Sequence, residues 1–482
     1  MTLTHILVFT LVALLTGWLL PKRWRLWFLL GISLVSIYWL QPSTPIRNLD
    51  FWLPTTALAL TVLTWTVTRS EAPHEKHFNR ITALIIFGAL LLIALTRYAG
   101  PFCCLTPTRP PPFPLVIEGL LLAAILVAIP YLIPSKRAPS FIATGLILGL
   151  FVMIKSQPLT RLSSAWLRVA TGQSPDMASY LDLPWLGFSY LAFRLLHVLR
   201  DYQMGRLPSY SLGEFVTYAI FFPTYVAGPI DRAPRFIEDL RQSNLLDENA
   251  KHSSKYRNNL IQGGWRILLG VFKKFVLADS LALFALNDQN AAQTSSSLWT
   301  WILLYAFALR IYFDFSGYTD VAIGLGRLMD FKLPENFDRP YLKQNLTTFW
   351  NSWHMTLAQW FRSYFFNPVT RALRMRPQKL PTWTIILIGQ FSTMALIGLW
   401  HGITWNFFLW GAWHGLGLFV NNRYTDWARP RLSGLSDRHY LEKAFGFGNW
   451  LLTFHFVTLG WVWFALSSPA LAWDVFLRLF GI

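Results

Sequence analysis

Ten histidines punctuate the 482-residue sequence, and three of them directly follow a tryptophan: His354, His401 and His414. An imidazole takes and returns protons near neutral pH, so each of the three has the chemistry of a general base. His401 lies within Leu380–Asn422, a stretch with no formally charged side chain. A titratable ring there is costly unless it faces a cavity or a partner, which makes it a functional candidate by default. His354 closes the segment Phe349-Trp350-Asn351-Ser352-Trp353. Apolar residues recur at Phe349, Trp353, Leu357, Trp360, Phe361 and Tyr364. That spacing predicts one continuous amphipathic helix through the segment. The spacing of His401 and His414 matches no familiar zinc or di-metal pattern, and no Cys or Glu joins them, so no metal site is expected. His197 and His455 sit in apolar runs and read as bundle histidines. His5, His74, His77, His252 and His439 read as terminal or loop residues.

Charged side chains inside apolar runs are the other candidates. Arg310 and Asp314 are four residues apart within one run, so on a helix they share a face and are expected to pair as a structural ion pair. Arg194 interrupts Trp185–Leu199, and Pro223, Gly228 and Pro229 interrupt Phe215–Ile230. Broken helices with charge at membrane depth survive where they are buried in protein or line a polar cavity. Cys103 and Cys104 are adjacent in a proline-rich loop with no histidine nearby. They read as a weakly constrained pair, not as part of a disulfide framework.

The elements that must position these residues are membrane helices. Apolar residues make up 54% of the chain and charged ones only 14%, against about 25% charged in an ordinary soluble domain. The net charge is +18. Its basic residues fall in short clusters between apolar runs: Lys22, Arg23 and Arg25; Lys136 and Arg137; Lys273 and Lys274; Arg371, Arg374, Arg376 and Lys379. That is the pattern of cytoplasmic loops, not of a nucleic-acid-binding stripe, so no nucleic-acid partner is expected. Spans are predicted at Thr2–Leu20, Leu26–Leu40, Phe51–Thr68, Ile81–Thr96, Leu115–Ile133 and Phe141–Ile154. Positive charge follows the first run instead of preceding it, so that run reads as a helix and not as a cleaved signal peptide. Loops 21–25, 69–80 and 135–140 are rich in Lys and Arg and are assigned to the cytoplasm. Loops 42–50, 98–114 and 157–184 hold fewer and are assigned to the outside, the last with a short surface helix. With the later apolar stretches the fold class is all-α, a polytopic transmembrane helical bundle of about 11–13 spans including short or re-entrant ones.

Six segments then give the chain a resemblance: Gly187–Arg194 (GFSYLAFR), Phe221–Arg232 (FFPTYVAGPIDR), Lys273–Asp279 (KKFVLAD), Tyr312–Tyr341 (YFDFSGYTDVAIGLGRLMDFKLPENFDRPY), Phe349–Pro368 (FWNSWHMTLAQWFRSYFFNP) and Gly398–Gly415 (GLWHGITWNFFLWGAWHG). In that order they resemble the membrane-bound O-acyltransferase superfamily. The likeness is to the bacterial branch that holds the alginate O-acetylation membrane protein and the teichoic-acid D-alanyl transferase. The resemblance implies a catalytic core over 185–420, preceded by N-terminal transmembrane helices over 1–156 and an extracytoplasmic loop over 157–184. A C-terminal loop and helices over 421–482 follow it. The first 100 residues or so exceed the usual pattern of the branch. Arg362 is followed by Ser363 where the family pattern has an acidic residue.

The same resemblance assigns His401 as the catalytic histidine and His354 as its functional partner, with His414 as supporting structure. Asn351, Trp400, Asn406, Asp314 and Arg310 are the expected substrate contacts. It implies O-acyl transfer through a central tunnel or funnel, with no bound cofactor. The donor is a thioester, acyl-CoA or an acyl carrier protein, arriving from the cytoplasm. The acceptor is the hydroxyl of a cell-envelope polysaccharide or of an extracytoplasmic acyl-transferring protein. Acetyl ranks ahead of D-alanyl as the group moved, and the bacterial inner membrane is the expected location. No strand–Ser–helix nucleophile motif occurs, which favours direct transfer over an acyl-enzyme. A transporter or flippase for an envelope precursor is the rival reading, and a non-enzymatic assembly scaffold the third.

Overall fold

The computed structural model describes residues 1–69, 75–133, 135, 137–245, 254–432 and 439–482. His74, Lys136 and His252 lie outside them. Among the described residues every regular element is helical. Six helices are long and apolar enough to cross a membrane: Leu49–Thr68, Lys76–Tyr98, Phe113–Leu132, Ala138–Lys155, Ser297–Leu328 and Thr382–His401. A shorter apolar helix covers Leu3–Leu19. The chain is therefore a polytopic helical membrane protein, as composition predicts. Its lipid-facing character is plain in Phe113–Leu132, whose most apolar window is only 11% buried. In a bilayer that exposed aliphatic surface meets hydrocarbon, so burying it inside the protein would gain nothing.

The described residues group into two compact units, Met1–Ile267 with Val321–Pro334, and Leu268–Asp320 with Glu335–Ile482. The first unit opens with α1 (Leu3–Leu14), α2 (Lys22–Trp39), α3 (Leu49–Thr68), α4 (Lys76–Leu95), α5 (Phe113–Ala128) and α6 (Ala138–Lys155). These six lie at the positions of the six predicted spans, and α3 to α6 are the four of them long and apolar enough to cross a membrane. The surface helix expected in 157–184 is α7 (Gln157–Ala170), whose buried Arg168 and Ser164 both bond the Asp182 carboxylate. Then come α8 (Phe188–Gln203), α9 (Leu212–Ala219), α10 (Ala233–Leu245) and α11 (Ser254–Val271).

Arg194 shows how this unit tolerates a buried charge. Its guanidinium donates to the carbonyls of Tyr218 and Ala219 at 3.2 and 2.8 Å and to the Thr224 carbonyl at 2.8 Å. A cation at a helix C-terminus complements the dipole and the orphan carbonyls there. The break at Pro223 is thus held by Arg194, a structural role in place of a polar passage. His197 is likewise engaged, its Nε2 accepting from the Ala233 amide at 3.3 Å. Cys103 and Cys104 lie side by side in the loop that precedes α5.

The second unit contains α12 (Asp279–Ala282), α13 (Asp288–Gln293) and the first part of α14 (Ser297–Leu328). It continues with α15 (Leu346–Trp350), α16 (Met355–Phe361), α17 (Asn367–Arg374), α18 (Thr382–His401), α19 (Trp405–Leu432), α20 (His439–Ala465) and α21 (Pro469–Leu479). Glycines set the approach of α18 to α19. A Cβ on Gly398 would collide with the Phe407 carbonyl, and one on Gly411 with the Met394 carbonyl. Small residues let two helix backbones come this close without a clash. Asn406 then ties the start of α19 to the end of α20 through a 2.8 Å bond to the Leu466 carbonyl. His455 on α20 has both ring nitrogens engaged, by the Tyr305 hydroxyl and the Leu451 carbonyl at 2.8 Å each, as a bundle histidine should.

Candidate active site

His401 is the last residue of α18, and Gly402 with two further residues turns the chain into α19. Its ring is walled by aromatics. Trp400 lies 4.5 Å away centroid to centroid, Phe464 at 4.8 Å, Trp410 at 5.5 Å and Phe407 at 5.8 Å, the last nearly parallel. His401 remains half-buried, whereas His354 and His414 are 4% and 0% exposed.

His354 occupies a backbone site that sequence periodicity hides. The continuous helix expected over 349–364 is broken. α15 ends at Trp350, His354 stands in the left-handed region at φ 43°, ψ 52°, and α16 starts at Met355. Partners from upstream in the chain, mostly backbone groups, hold the break. The Asn345 carboxamide caps α15 through the Thr348 amide at 2.8 Å, and the Asp338 amide donates to the Ser352 carbonyl at 3.1 Å. Asn336, fully buried, holds the restart, its carbonyl accepting from the Met355 amide at 2.9 Å and its Oδ1 from the Thr356 hydroxyl at 2.6 Å. The apolar period survives across the gap because it records which side chains are buried, not which carbonyls are bonded. A non-glycine residue in this region costs energy that the surrounding contacts must hold in place.

The three Trp-linked histidines belong to one aromatic wall. Phe315 packs edge-on against His354 at 4.6 Å, and Trp400 lies 6.2 Å from His354 on the side of His401. Trp410 bridges on to His414 at 5.1 Å, and Trp350 closes on His414 from the other direction at 5.1 Å. Trp400, expected as a substrate contact, is the ring shared by His354 and His401. Next to the His354 turn is a pocket of about 170 Å³ whose polar lining includes Asn351, Arg362 and Gln390. Arg362 donates to the Asn351 carbonyl oxygen, so the arginine that lacks its acidic neighbour finds an amide partner instead. Gln390 Oε1 and the Trp350 indole N–H are buried there with no hydrogen-bond partner among the described residues.

One expectation is corrected. Arg310 and Asp314 do not pair: Asp314 forms an ion pair with Lys274, and Arg310 makes none among the described residues. A helix spacing of four permits such a contact, but the cation on α11's continuation reaches the carboxylate first. Asn406 spends its amide N–H on the Leu466 carbonyl and so braces the α19–α20 junction. Sequence reading also passed over four residues. Asn336 lies in the quoted LPENFDRPY stretch, whose lack of any helical period was the available signal. Lys273 and Asp320 form a 2.7 Å ion pair, and both lie in quoted segments. Phe464 carried no signal, being one apolar residue among many. Among the described residues no group of three or more His, Cys, Asp or Glu is placed to hold a metal.

Comparison with known proteins gives this wall a family. Residues 138–465 match the model of the MBOAT, membrane-bound O-acyltransferase, family. The chain belongs to that family. It is 32% identical over 311 residues to the probable alginate O-acetylase AlgI of Pseudomonas aeruginosa, covering 64% of this chain and 54% of that protein. It is 35% identical over 260 residues to the teichoic acid D-alanyltransferase of Streptococcus thermophilus, covering 53% and 60%. With the peptidoglycan O-acetyltransferase of Helicobacter pylori it shares 32% identity over 279 residues, covering 57% and 48%. The chain thus spans about half the length of the curated relatives it matches.

Proposed function

We propose that this protein is an O-acyltransferase of the cell envelope. It moves an acyl group, acetyl ahead of D-alanyl, from a cytoplasmic thioester donor to a hydroxyl on an envelope polysaccharide or on an extracytoplasmic acyl-handling protein. The relatives named for O-acetylation and for D-alanylation support the reaction class. The observation that carries the residue assignment is the contrast within the aromatic wall. Of the three histidines, His401 alone is only partly buried, while His354 and His414 are buried.

The step follows from that assignment. The neutral His401 imidazole takes the proton of the acceptor hydroxyl as the oxygen attacks the thioester carbonyl. A tetrahedral oxyanion forms, then collapses with loss of the thiolate. A thiol of pKa about 8–9 leaves with little acid assistance, and the imidazolium returns the proton to it. Proton, acyl group and electron pair are all accounted for, and no acyl-enzyme is needed. His354 orients this arrangement through Trp400, and the donors of Asn351 and Arg362 suit a polar portion of a substrate in the neighbouring pocket.

Mass analysis of envelope glycans from cells with and without the gene tests this reading. Loss of ester-linked acyl groups on deletion is the expected result. Unchanged ester content, with an envelope precursor accumulating on one side of the membrane, would favour the transporter reading.

A further inference from the structure

Three loops that the charge alternation assigns to the outer face converge on one cleft of about 960 Å³ within the first unit. This lies at the upper end of the roughly 300–1,000 Å³ typical of ligand pockets. Its cations are Arg47 from loop 42–50, Arg97 just after α4 and Arg109 from loop 98–114, and Thr171 and Gln173 close it from loop 157–184. The opposing carboxylates are Glu118 on α5, which lines the cleft, and Asp50, which is buried beside it. Except for the closing segment near Thr171, these residues precede the matched stretch 138–465, so the family likeness says nothing of them.

The cleft is built, not incidental. The Asp50 carboxylate accepts from the Thr108 amide at 2.8 Å and from its hydroxyl, which pins the loop carrying Arg109 to the first turn of α3. The Arg47 amide donates to Gln173 Oε1 at 2.9 Å, and Gln173 Nε2 donates back to the Pro45 carbonyl at 3.0 Å. Gly119 clears the way for the Trp52 ring to lie against α5, since a Cβ there would strike the indole. Arg109 is exposed and makes no hydrogen bond or ion pair among the described residues. Arg97 donates once to the Pro110 carbonyl and Arg47 once to the Thr171 carbonyl, which leaves most of their guanidinium N–H groups to face the cleft beside Arg109.

The geometry points to a binding site for an anionic saccharide in this cleft. Arginine forks suit carboxylates or phosphates, the Trp52 ring offers an apolar face for a sugar, and hydroxyl and amide side chains at Thr44, Asn48 and Thr171 suit sugar hydroxyls. A lipid headgroup needs the phosphate contact but not this hydroxyl-matching rim. The site deepens the proposed function by giving the acceptor polymer a holding point, and it rests on that reading only for its use. Binding itself is measured apart from transfer.

The test uses the full chain in nanodiscs of zwitterionic lipid, titrated calorimetrically with an acidic oligouronate and with its carboxyl-reduced neutral counterpart. The acid is expected to bind about tenfold more tightly or better, one charge-assisted contact's worth. Arg47→Gln and Arg109→Gln together should erase that preference, and Trp52→Ala should weaken both ligands. His401→Ala should bind the acid as the parent does, so a failure of the transfer chemistry leaves this result standing. Unchanged thermal unfolding shows that the variants fold. Equal binding of acid and neutral ligand, a preference that survives the double arginine variant, or displacement of the acid by phosphatidylglycerol added to the nanodisc would overturn the assignment.

Discussion

The Trp400 indole sits between two histidines, with its centroid 4.5 Å from His401 and 6.2 Å from His354, steeply inclined to both rings. One side chain therefore sets the spacing of the proposed base and of its partner. Truncating it releases both rings at once. Trp400→Ala is expected to lower acyl transfer on the order of a hundredfold, the cost of misplacing reacting groups by about 1 Å. Trp400→Phe should recover part of it. The assay is ester formation in membranes supplied with thioester donor, with protein amount held equal.

Backbone and ring of His354 are separable. Its left-handed conformation is tolerated by Asn but costs a β-branched residue about 1–3 kcal/mol. His354→Asn is expected to keep the thermal midpoint of the detergent-solubilised protein close to the parent's while losing most of the transfer. His354→Val should lose both. If His354→Asn transferred at the parent rate, the ring would have no part in the reaction.

Asn336 reaches the site through bonds, not contact with substrate. Replacing it by Ala removes the Oδ1 that accepts from the Thr356 hydroxyl, a loss of about 0.5–1.5 kcal/mol. The expected readouts are a lower thermal midpoint and a reduced kcat with KM little changed, because the Met355 amide keeps its backbone acceptor while the turn loosens.

How far the sequence led differs from element to element. Four of the six N-terminal spans, Leu49–Thr68, Lys76–Tyr98, Phe113–Leu132 and Ala138–Lys155, were legible because hydropathy over about 20 residues measures the bilayer directly. The hairpin at His401 was legible from Trp400–Gly402 interrupting a charge-free run. The break at His354 was not, because α15 and α16 keep one apolar register across it, while the bonds that make it come from Asn336 and Asp338, more than ten residues upstream. Asp314 went to Lys274 for a related reason: spacing along one helix ranks neighbours on that helix and is blind to a cation on another.

The segment 157–184 gives a pH prediction. Burial would raise the Asp182 carboxyl, but bonds from Arg168, Ser164 and the Ser179 amide outweigh it and hold the group below the ordinary carboxylate range. A pKa lower in the folded state than in the unfolded contributes stability that is fully present above the unfolded value, about 3.9, and is lost as pH falls through the folded one. Thermal unfolding of the solubilised protein should be flat from pH 7 to about 5 on this account and fall below about 4. Asp182→Asn should lower the plateau and flatten the acid limb. An acid limb identical to the parent's would remove Asp182 as its source.

The central claim is that His401 takes the acceptor's proton. Its most direct test is single-turnover transfer from a labelled acyl thioester by His401→Ala and His401→Gln protein in reconstituted membranes, alongside donor binding by the same preparations. The account predicts that transfer falls at least about a hundredfold, the lower bound for removing a general base, while donor binding and thermal unfolding stay at parent values. Transfer at the parent rate in either variant, with the protein folded, would contradict it.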